Sequence, residues 1–372
     1  MKLLLCGGGT AGHINPAIAV AEELLRRQGS SDVLFVGREG GGENDAIITS
    51  GFDLKTLRIQ GLKRSLSPEN IKRILRAFEA RGEAEKIIRE FKPDVILGTG
   101  GYVCWPVLSA GRRLSVPTAI HESNVTPGLT ARLLSTGCDR VFIAREETAA
   151  HLPKKAKAMV VGNPLRRAFG SLSRREARRI LGIRDSEIFI VSFGGSIGAQ
   201  RLNDTLIQVM REHSAILPGV KHLHACGIRY YDAIESPFKA EGANGCRIVA
   251  YIDNMPTALS AADIVVCRCG AMTLSELCQV GVAAILIPSP NVSANHQYKN
   301  AKYLADKNAA VLIEEKSLTA ERLKSALIEL EIDKIGRKNK AKNIHALATP
   351  NAAKSIVDEL ILMKNPNKGT EK

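Results

Sequence analysis

Gly7, Gly9 and Gly12 satisfy the spacing G-x-G-x-x-G directly after a short apolar run, and His13 follows the last glycine. Glycines at that spacing let the backbone approach an oxyanion closely, and the N–H groups of a starting helix favour negative charge. Alone, the turn reads as a dinucleotide fingerprint, with Arg38 at the end of the next apolar run able to meet a 2′-phosphate. His13 beside the last glycine and Pro16 in the first helical turn argue against a nicotinamide dinucleotide. Imidazole titrates near neutral pH, so His13 is a candidate general base; its structural alternative is a side chain that merely caps the helix start.

Other stretches could hold a ligand. A second, different glycine turn, Gly194-Gly195-Ser196-Ile197-Gly198-Ala199, follows the apolar run Ile188 to Phe193. In Cys267-Arg268-Cys269-Gly270-Ala271-Met272-Thr273-Leu274-Ser275-Glu276, a strand runs into a helix through a Gly-Ala bend. Backbone N–H groups there suit a diphosphate, and Glu276, a turn and a half further on, suits a ribose diol. The alternative is an ordinary βα turn capped by Thr273 or Ser275. Asn295-His296-Gln297 offers uncharged amides fit for a neutral polyol such as a sugar. His222 and His224 alternate on an expected strand and read as one strand face rather than a metal pair. Cys267 and Cys269 form a lone C-x-C, no C-x-x-C occurs, and no D-x-D occurs. No metal or other cofactor is expected.

The elements that must carry these residues are short apolar runs alternating with amphipathic helical stretches, which is the α/β pattern of parallel sheets. Strands are expected at 3–6, 33–36, 95–97, 118–120, 141–143, 188–193, 248–249, 264–267, 284–287 and 310–313, with helices such as 17–27 and 71–90 between them. The pattern pauses at Gly162-Asn163-Pro164 and restarts. The expected fold class is therefore α/β, with two Rossmann-like doubly wound domains and a ligand cleft between them. The expected domains are 1–163 and 164–340. Residues 341–364 should form helices that return to the first domain, and 365–372 a disordered tail.

The chain of 372 residues carries 52 Lys and Arg against 38 Asp and Glu, a balance of +14 that points to an anionic partner. Aromatics make up only 4%, too few for stacking platforms along a nucleic acid. No apolar run approaches the ~20 residues of a membrane span, and Met1 to Cys6 meets Gly7 too soon for a secretory signal. Reduced thiols in a cytoplasmic setting are the expectation. Residues 55–92 hold 11 Lys and Arg against 5 acids. Within them Ile71, Ile74, Leu75 and Phe78 repeat at helical spacing beside Lys72, Arg73 and Arg76, with Gly61-Leu62-Lys63-Arg64 just ahead. Such a face suits an anionic bilayer surface; the alternative is a helix that turns its apolar side to its own core.

Taken together, these segments resemble the bacterial undecaprenyldiphospho-muramoylpentapeptide beta-N-acetylglucosaminyltransferases, a family 28 glycosyltransferase group of the two-domain GT-B class. The resemblance runs from Leu3 to about Val357. Besides the stretches above, its carriers are Gly98-Thr99-Gly100-Gly101-Tyr102-Val103, His121-Glu122-Ser123-Asn124 with Pro127-Gly128-Leu129-Thr130, Gly162-Asn163-Pro164-Leu165-Arg166, and Asn203. It implies inverting transfer of GlcNAc from UDP-GlcNAc to the 4-hydroxyl of MurNAc on undecaprenyl-linked lipid I, by a peripheral enzyme on the cytoplasmic face of the membrane.

Residue by residue, the resemblance implies that Thr10, Ala11 and Gly12 line the sugar-nucleotide side and that His13 stands near the reacting hydroxyl; His13 is the candidate base for that hydroxyl, with Glu122 or a water as the fallback. Asn124 would reach the transferred sugar or acceptor. Arg166 and Ser196 would address the diphosphate region, Ile252 the uracil, Ala271 to Glu276 the diphosphate and ribose, and Gln297 the GlcNAc hydroxyls. The chain departs from the family pattern at Ser123 (usually Gln), Cys269 (commonly Ser or Ala) and Ala283 (usually Pro). Competing readings are a lipid glycosyltransferase with another acceptor, a UDP-GlcNAc 2-epimerase and an NADP-dependent oxidoreductase. Nucleic acid is not an expected partner, and oligomeric state is left open.

Overall fold

The computed structural model describes residues 1–63, 67–216, 219–240 and 245–364. Arg64 and the expected tail 365–372 lie outside them. Contacts divide the chain into two compact units: Met1–Arg166 joined by the chain from Thr349 onward, and Arg167–Ala348.

The first unit runs β1 (Lys2–Cys6), α1 (Ala11–Arg27), β2 (Asp32–Arg38), α2 (Asn44–Thr49), β3 (Asp53–Leu57), α3 (Glu69–Phe91), β4 (Val95–Gly98), α4 (Cys104–Arg113), β5 (Thr118–Glu122), α5 (Leu129–Leu134), β6 (Arg140–Ile143) and β7 (Ala158–Val160). The second runs α6 (Arg174–Leu181), β8 (Ile188–Phe193), α7 (Gln200–Ile216), β9 (Val220–Ala225), α8 (Tyr231–Ala240), β10 (Cys246–Val249), α9 (Met255–Ala261), β11 (Ile264–Cys267), α10 (Ala271–Val280), β12 (Ala283–Leu286), α11 (His296–Asp306), β13 (Val311–Leu312), α12 (Ala320–Ile332) and α13 (Lys334–His345). Then α14 (Ala352–Lys364) follows, as part of the first unit.

The first sheet has the order β3-β2-β1-β4-β5-β6-β7 and the second β10-β9-β8-β11-β12-β13. Every pairing in both is parallel. Their central strands are continuous apolar runs because helices cover both faces: Leu3, Leu4, Leu5 and Cys6 are fully buried, as are Ile264, Val265, Val266 and Cys267. Strand order reverses between β1 and β4 in one sheet and between β8 and β11 in the other. Ligands of such sheets bind outside the carboxyl ends of the strands at that reversal. The loops there are Gly7 to Thr10 and Thr99 to Gly101 in the first unit, and Gly194 to Ala199 and Arg268 to Gly270 in the second.

Two strands have no counterpart among the sequence expectations. Both β3 and β7 lie at sheet edges and expose most of their side chains; β3 carries no apolar run, and the short apolar run of β7, Ala158-Met159-Val160, stays exposed. The expected closing stretch 341–364 is not one body. Helix α13 packs on α10 and β12 inside the second unit, whereas α14 sets Ile356, Val357 and Leu360 among Ile14, Ile18 and Leu24 of α1. Pro350 separates the two helices by removing a backbone donor between them.

Candidate active site

In the first unit the chain leaves β1, turns at Gly9 with φ +90°, and enters α1 at Ala11. Thr10 is the N-cap residue, yet its side chain makes no cap hydrogen bond. His13 Nδ1 lies 2.9 Å from the Gly8 carbonyl and 3.4 Å from Thr10 Oγ1. A carbonyl only accepts, so Nδ1 carries the proton and Nε2 keeps the lone pair that a base needs. The His13 backbone carbonyl accepts from Thr99 Oγ1 at 2.6 Å, which ties α1 to the loop after β4.

That second loop is built to fit the imidazole. A Cβ on Gly100 would stand 2.6 Å from His13 Cδ2, and one on Gly101 would stand 2.0 Å from the Gly8 oxygen. Both residues also have positive φ, so only glycine fits at either place. Gly9 N–H is not left for an incoming phosphate. It donates to Glu43 Oε1 at 2.6 Å. Burial pushes the Glu43 carboxyl up, but the Gly9 N–H and Arg38 outweigh burial and hold it below the usual carboxylate range. Arg38, free for a 2′-phosphate on the dinucleotide reading, instead faces Glu43, with Nε 3.8 Å from Oε1.

Glu122 ends β5 and is 7% exposed. Its Oε1 accepts from Asn124 N at 2.8 Å and Asn124 Nδ2 at 2.9 Å, and its Oε2 accepts from Gly128 N at 2.8 Å. Both oxygens thus fasten the loop 123–128, and the geometry makes Glu122 a loop anchor. Asn124 is held by the same bonds. His121 Nε2 donates to Gly162 O (2.9 Å), and burial pushes its imidazole down to about 4, so the ring is neutral and structural. Arg166 is exposed and pairs with Glu22 of α1, through Nε at 3.0 Å and Nη2 at 2.8 Å.

The second unit offers a different surface. Gly195 and Gly198 have φ of +95° and +86°, and a Cβ on Gly198 would come within 2.0 Å of Cys226 O. The turn therefore lies hard against the loop after β9. Ser196 is exposed at its crest. Beneath it runs a buried hydrogen-bonded chain: Asn203 Oδ1 to His224 Nε2 (3.2 Å), His224 Nδ1 to Ser192 Oγ (2.9 Å), and Ser192 Oγ to His222 Nε2 (2.8 Å). Burial pushes the His224 imidazole down to about 4. The two histidines thus share one strand face in a hydrogen-bonded network, and among the described residues no three His, Cys, Asp or Glu side chains gather as a metal site.

Helix α10 opens at Gly270 with no side-chain cap, so neither Thr273 nor Ser275 caps it. Ala271 and Thr273 are half-buried, while Met272, Leu274 and Ser275 turn inward. Glu276 is half-buried, and desolvation pushes its carboxyl up to about 7. Tyr251 stands near it: burial, with Glu276 and Asp253 adding to it, pushes the phenol up. Ile252, the next residue, is 6% exposed in the domain core.

Gln297 bridges two strand ends. Its Oε1 accepts from Cys269 N at 3.2 Å and Ser289 N at 2.9 Å, which turns the amide so that its NH₂ is the outward donor. It lines a cavity of about 570 Å³ with Gly194, Ala199, Arg201, Arg268 and Ser289. Just before α11, Ala294 and Asn295 both hold φ of 51°, a local strain of the kind that marks binding loops. Cys269 contributes its backbone only; its thiol is fully buried and burial raises it. The residues the sequence did not single out are Glu43, Arg268 and Glu22. Arg268 lies within the Cys267 to Glu276 stretch quoted from the sequence, whereas Glu43 and Glu22 are in no stretch singled out there.

In α3, Ala80, Ala84 and Ile88 are buried, whereas Ile71 is 64%, Ile74 45%, Leu75 59% and Phe78 48% exposed. The apolar face of the first two turns is therefore not used by the unit's own core. Phe78 leans edge-on against Trp105 (5.2 Å), with Arg81 over its ring. Lys72 is exposed, but Arg73 reaches Gly61 O and Glu69, and Arg76 pairs with Glu79. Fewer of the flanking cations are unengaged than the sequence suggests.

Two all-parallel Rossmann-like domains, each with a glycine turn at its strand-order reversal, define the GT-B class of glycosyltransferase. The glycosyltransferase family 28 N-terminal domain matches residues 3–143 and the family 28 C-terminal domain residues 189–359. The chain is 40% identical, over 99% of its length and 100% of the other, to the UDP-N-acetylglucosamine--N-acetylmuramyl-(pentapeptide) pyrophosphoryl-undecaprenol N-acetylglucosamine transferase of Acetivibrio thermocellus. It superimposes on the crystal structure of MurG from Acinetobacter baumannii with a TM-score of 0.76 at 29% identity, covering 97% of this chain and 99% of that one. A UDP-GlcNAc 2-epimerase from Neisseria meningitidis, at 14% identity and TM-score 0.68 over 97% of this chain and 100% of that one, shares the fold. The chain belongs to glycosyltransferase family 28, and within it to the N-acetylglucosamine transferases of the peptidoglycan precursor.

Proposed function

We propose that this enzyme transfers GlcNAc from UDP-GlcNAc to the MurNAc 4-hydroxyl of undecaprenyl-linked lipid I with inversion, in a single displacement. The observation that carries the residue-level reading is the His13 geometry: Nδ1–H is fixed on the Gly8 carbonyl, leaving Nε2 to take the proton of an attacking hydroxyl. The donor belongs to the second unit. The uncapped start of α10 meets the diphosphate through backbone N–H groups of Ala271 to Thr273, and Glu276 accepts from the ribose diol. Ile252 meets the uracil through its backbone, and Ser196 meets the diphosphate. Gln297 presents its NH₂ to the sugar hydroxyls. Arg166 serves the leaving diphosphate; its exposed pair with Glu22 is worth under about 1 kcal/mol and exchanges readily for a phosphate. Thr10, Ala11 and Gly12 line the sugar-nucleotide side, and Asn124 reaches the transferred sugar or the acceptor.

Membrane contact falls to the first turns of α3. No helix among the described residues is long and apolar enough to cross a bilayer. Ile71, Ile74, Leu75 and Phe78, each about half exposed, gain on the order of 1 kcal/mol apiece on entering the interface, and Lys72 adds an anionic preference. The enzyme then works as a peripheral protein on the cytoplasmic face, where the acceptor's sugar lies.

The direct test is radiolabelled transfer from UDP-GlcNAc to a short-chain lipid I analogue without added metal. Label in the lipid product, with UDP released in equal amount, is the expected result. Conversion of UDP-GlcNAc to its 2-epimer without acceptor, or transfer only to a diacylglycerol, would overturn the assignment.

A further inference from the structure

We propose that Glu43 is a positioning residue for His13, acting through the single peptide group that joins Gly8 to Gly9. Glu43 Oε1 accepts from the N–H end of that peptide at 2.6 Å, and the carbonyl at its other end accepts from His13 Nδ1 at 2.9 Å. The order is carboxylate, peptide N–H, peptide C=O, imidazole. A negative charge on the N–H side polarises the amide and makes its oxygen a stronger acceptor. The proton is thereby kept on Nδ1 and the lone pair on Nε2, the face His13 needs as a base. In a Ser-His-Asp site the carboxylate bonds the imidazole directly to the same end. Here one amide lies between them.

The surroundings fit this role. Glu43 sits at the start of α2 yet makes no side-chain cap there; its carboxylate goes to Gly9 instead. The side chain is only 8% exposed, and its carboxyl is charged. A Cβ on Gly41 would come within 2.9 Å of that carboxyl group, so the glycines ahead of it clear its place. Asn44 Nδ2 donates to Arg38 O at 2.7 Å and pins the loop. On the far side, Gly101 leaves room for the Gly8 oxygen. Glycine positions on both sides thus fix one orientation of the Gly8–Gly9 peptide.

This inference rests on His13 as the base, and the test separates the two. The full-length protein, labelled with ¹⁵N in its histidine rings, is read by NMR at alkaline pH with Glu43→Gln, Glu43→Ala and Arg38→Gln beside wild type. The ring of His13 should report the Nδ1–H form in wild type and in Arg38→Gln, and shift toward the Nε2–H form in both Glu43 variants. Their kcat should fall about 10- to 100-fold with the KM for UDP-GlcNAc within about twofold. Thermal unfolding midpoints within a few degrees of wild type report that the variants are folded. An unchanged tautomer in both Glu43 variants overturns the proposal, as does an equal shift in Arg38→Gln, which would mean loop damage rather than loss of the carboxylate. Full turnover in His13→Ala would remove the base reading while leaving the tautomer result to stand or fall separately.

Discussion

The two units use one device, strand into glycine turn into helix at a strand-order reversal, for opposite ends. In the first unit the turn carries its own anion: Glu43 occupies the Gly9 N–H, and a histidine closes on the carbonyl of the same peptide. In the second, the start of α10 has no side-chain cap, and the amide of Gln297 is turned by two backbone donors so that its NH₂ faces outward. A turn already holding a carboxylate repels phosphate and suits a neutral hydroxyl; a donor-rich one suits a diphospho-sugar. The G-x-G-x-x-G spacing is shared with dinucleotide sites, but the charge placed in it decides what it serves.

This contrast can be broken at its strongest point first. His13→Ala should lower turnover by about 10²- to 10⁴-fold while leaving UDP-GlcNAc affinity close to wild type; stopped-time assays with calorimetry check both halves. If affinity falls instead, the first turn is a donor site after all. In the second unit, Gln297→Ala should raise the KM for UDP-GlcNAc by about tenfold, from one or two lost hydrogen bonds, with little change in UDP affinity. Equal loss for UDP and UDP-GlcNAc would move Gln297 away from the sugar.

A pH series sharpens the donor side. The Glu276 carboxyl is pushed up to about 7 by burial, and on the proposed reading the ribose diol needs it ionised as an acceptor. UDP-GlcNAc affinity should therefore rise about tenfold between pH 6 and pH 8, where the free carboxyl gives up its proton, and level off above. Glu276→Gln should bind more weakly and lose the slope. A slope that persists in that variant assigns the titration to another group. The smallest effect concerns α3. Ile71→Ser with Leu75→Ser should reduce pelleting with anionic vesicles several-fold, yet shift stability by no more than about 0.5 kcal/mol, because both side chains are exposed already. A large loss of thermal stability would mean that the apolar face is packed in solution.

Most of this frame is readable from the chain itself. Buried central strands such as Ile188 to Phe193 and Ile264 to Cys267 announce themselves as apolar runs, and the glycine turns follow them directly. The edge strands β3 and β7 do not: β3 mixes polar with apolar residues, and the apolar run of β7 is only three residues long. Within the site, His13, Glu276 and Gln297 stand out by type and position. Glu43 does not, since its partner is a backbone N–H 34 residues away, brought near by the pairing of β1 with β2. Glu122 differs: its three donors lie only two and six residues on, in the loop that it fastens. In α3 the heptad-like spacing shows an apolar face but not which way it points, and the ion pairs of Arg73 and Arg76 depend on neighbours set by folding.

The division of labour between the units is tested most directly by calorimetric titration of UDP-GlcNAc into wild type, His13→Ala and Glu276→Ala, each then assayed for transfer. The expected result is wild-type binding without turnover in His13→Ala, and lost binding in Glu276→Ala. Binding abolished by the His13 substitution and retained without Glu276 would contradict it.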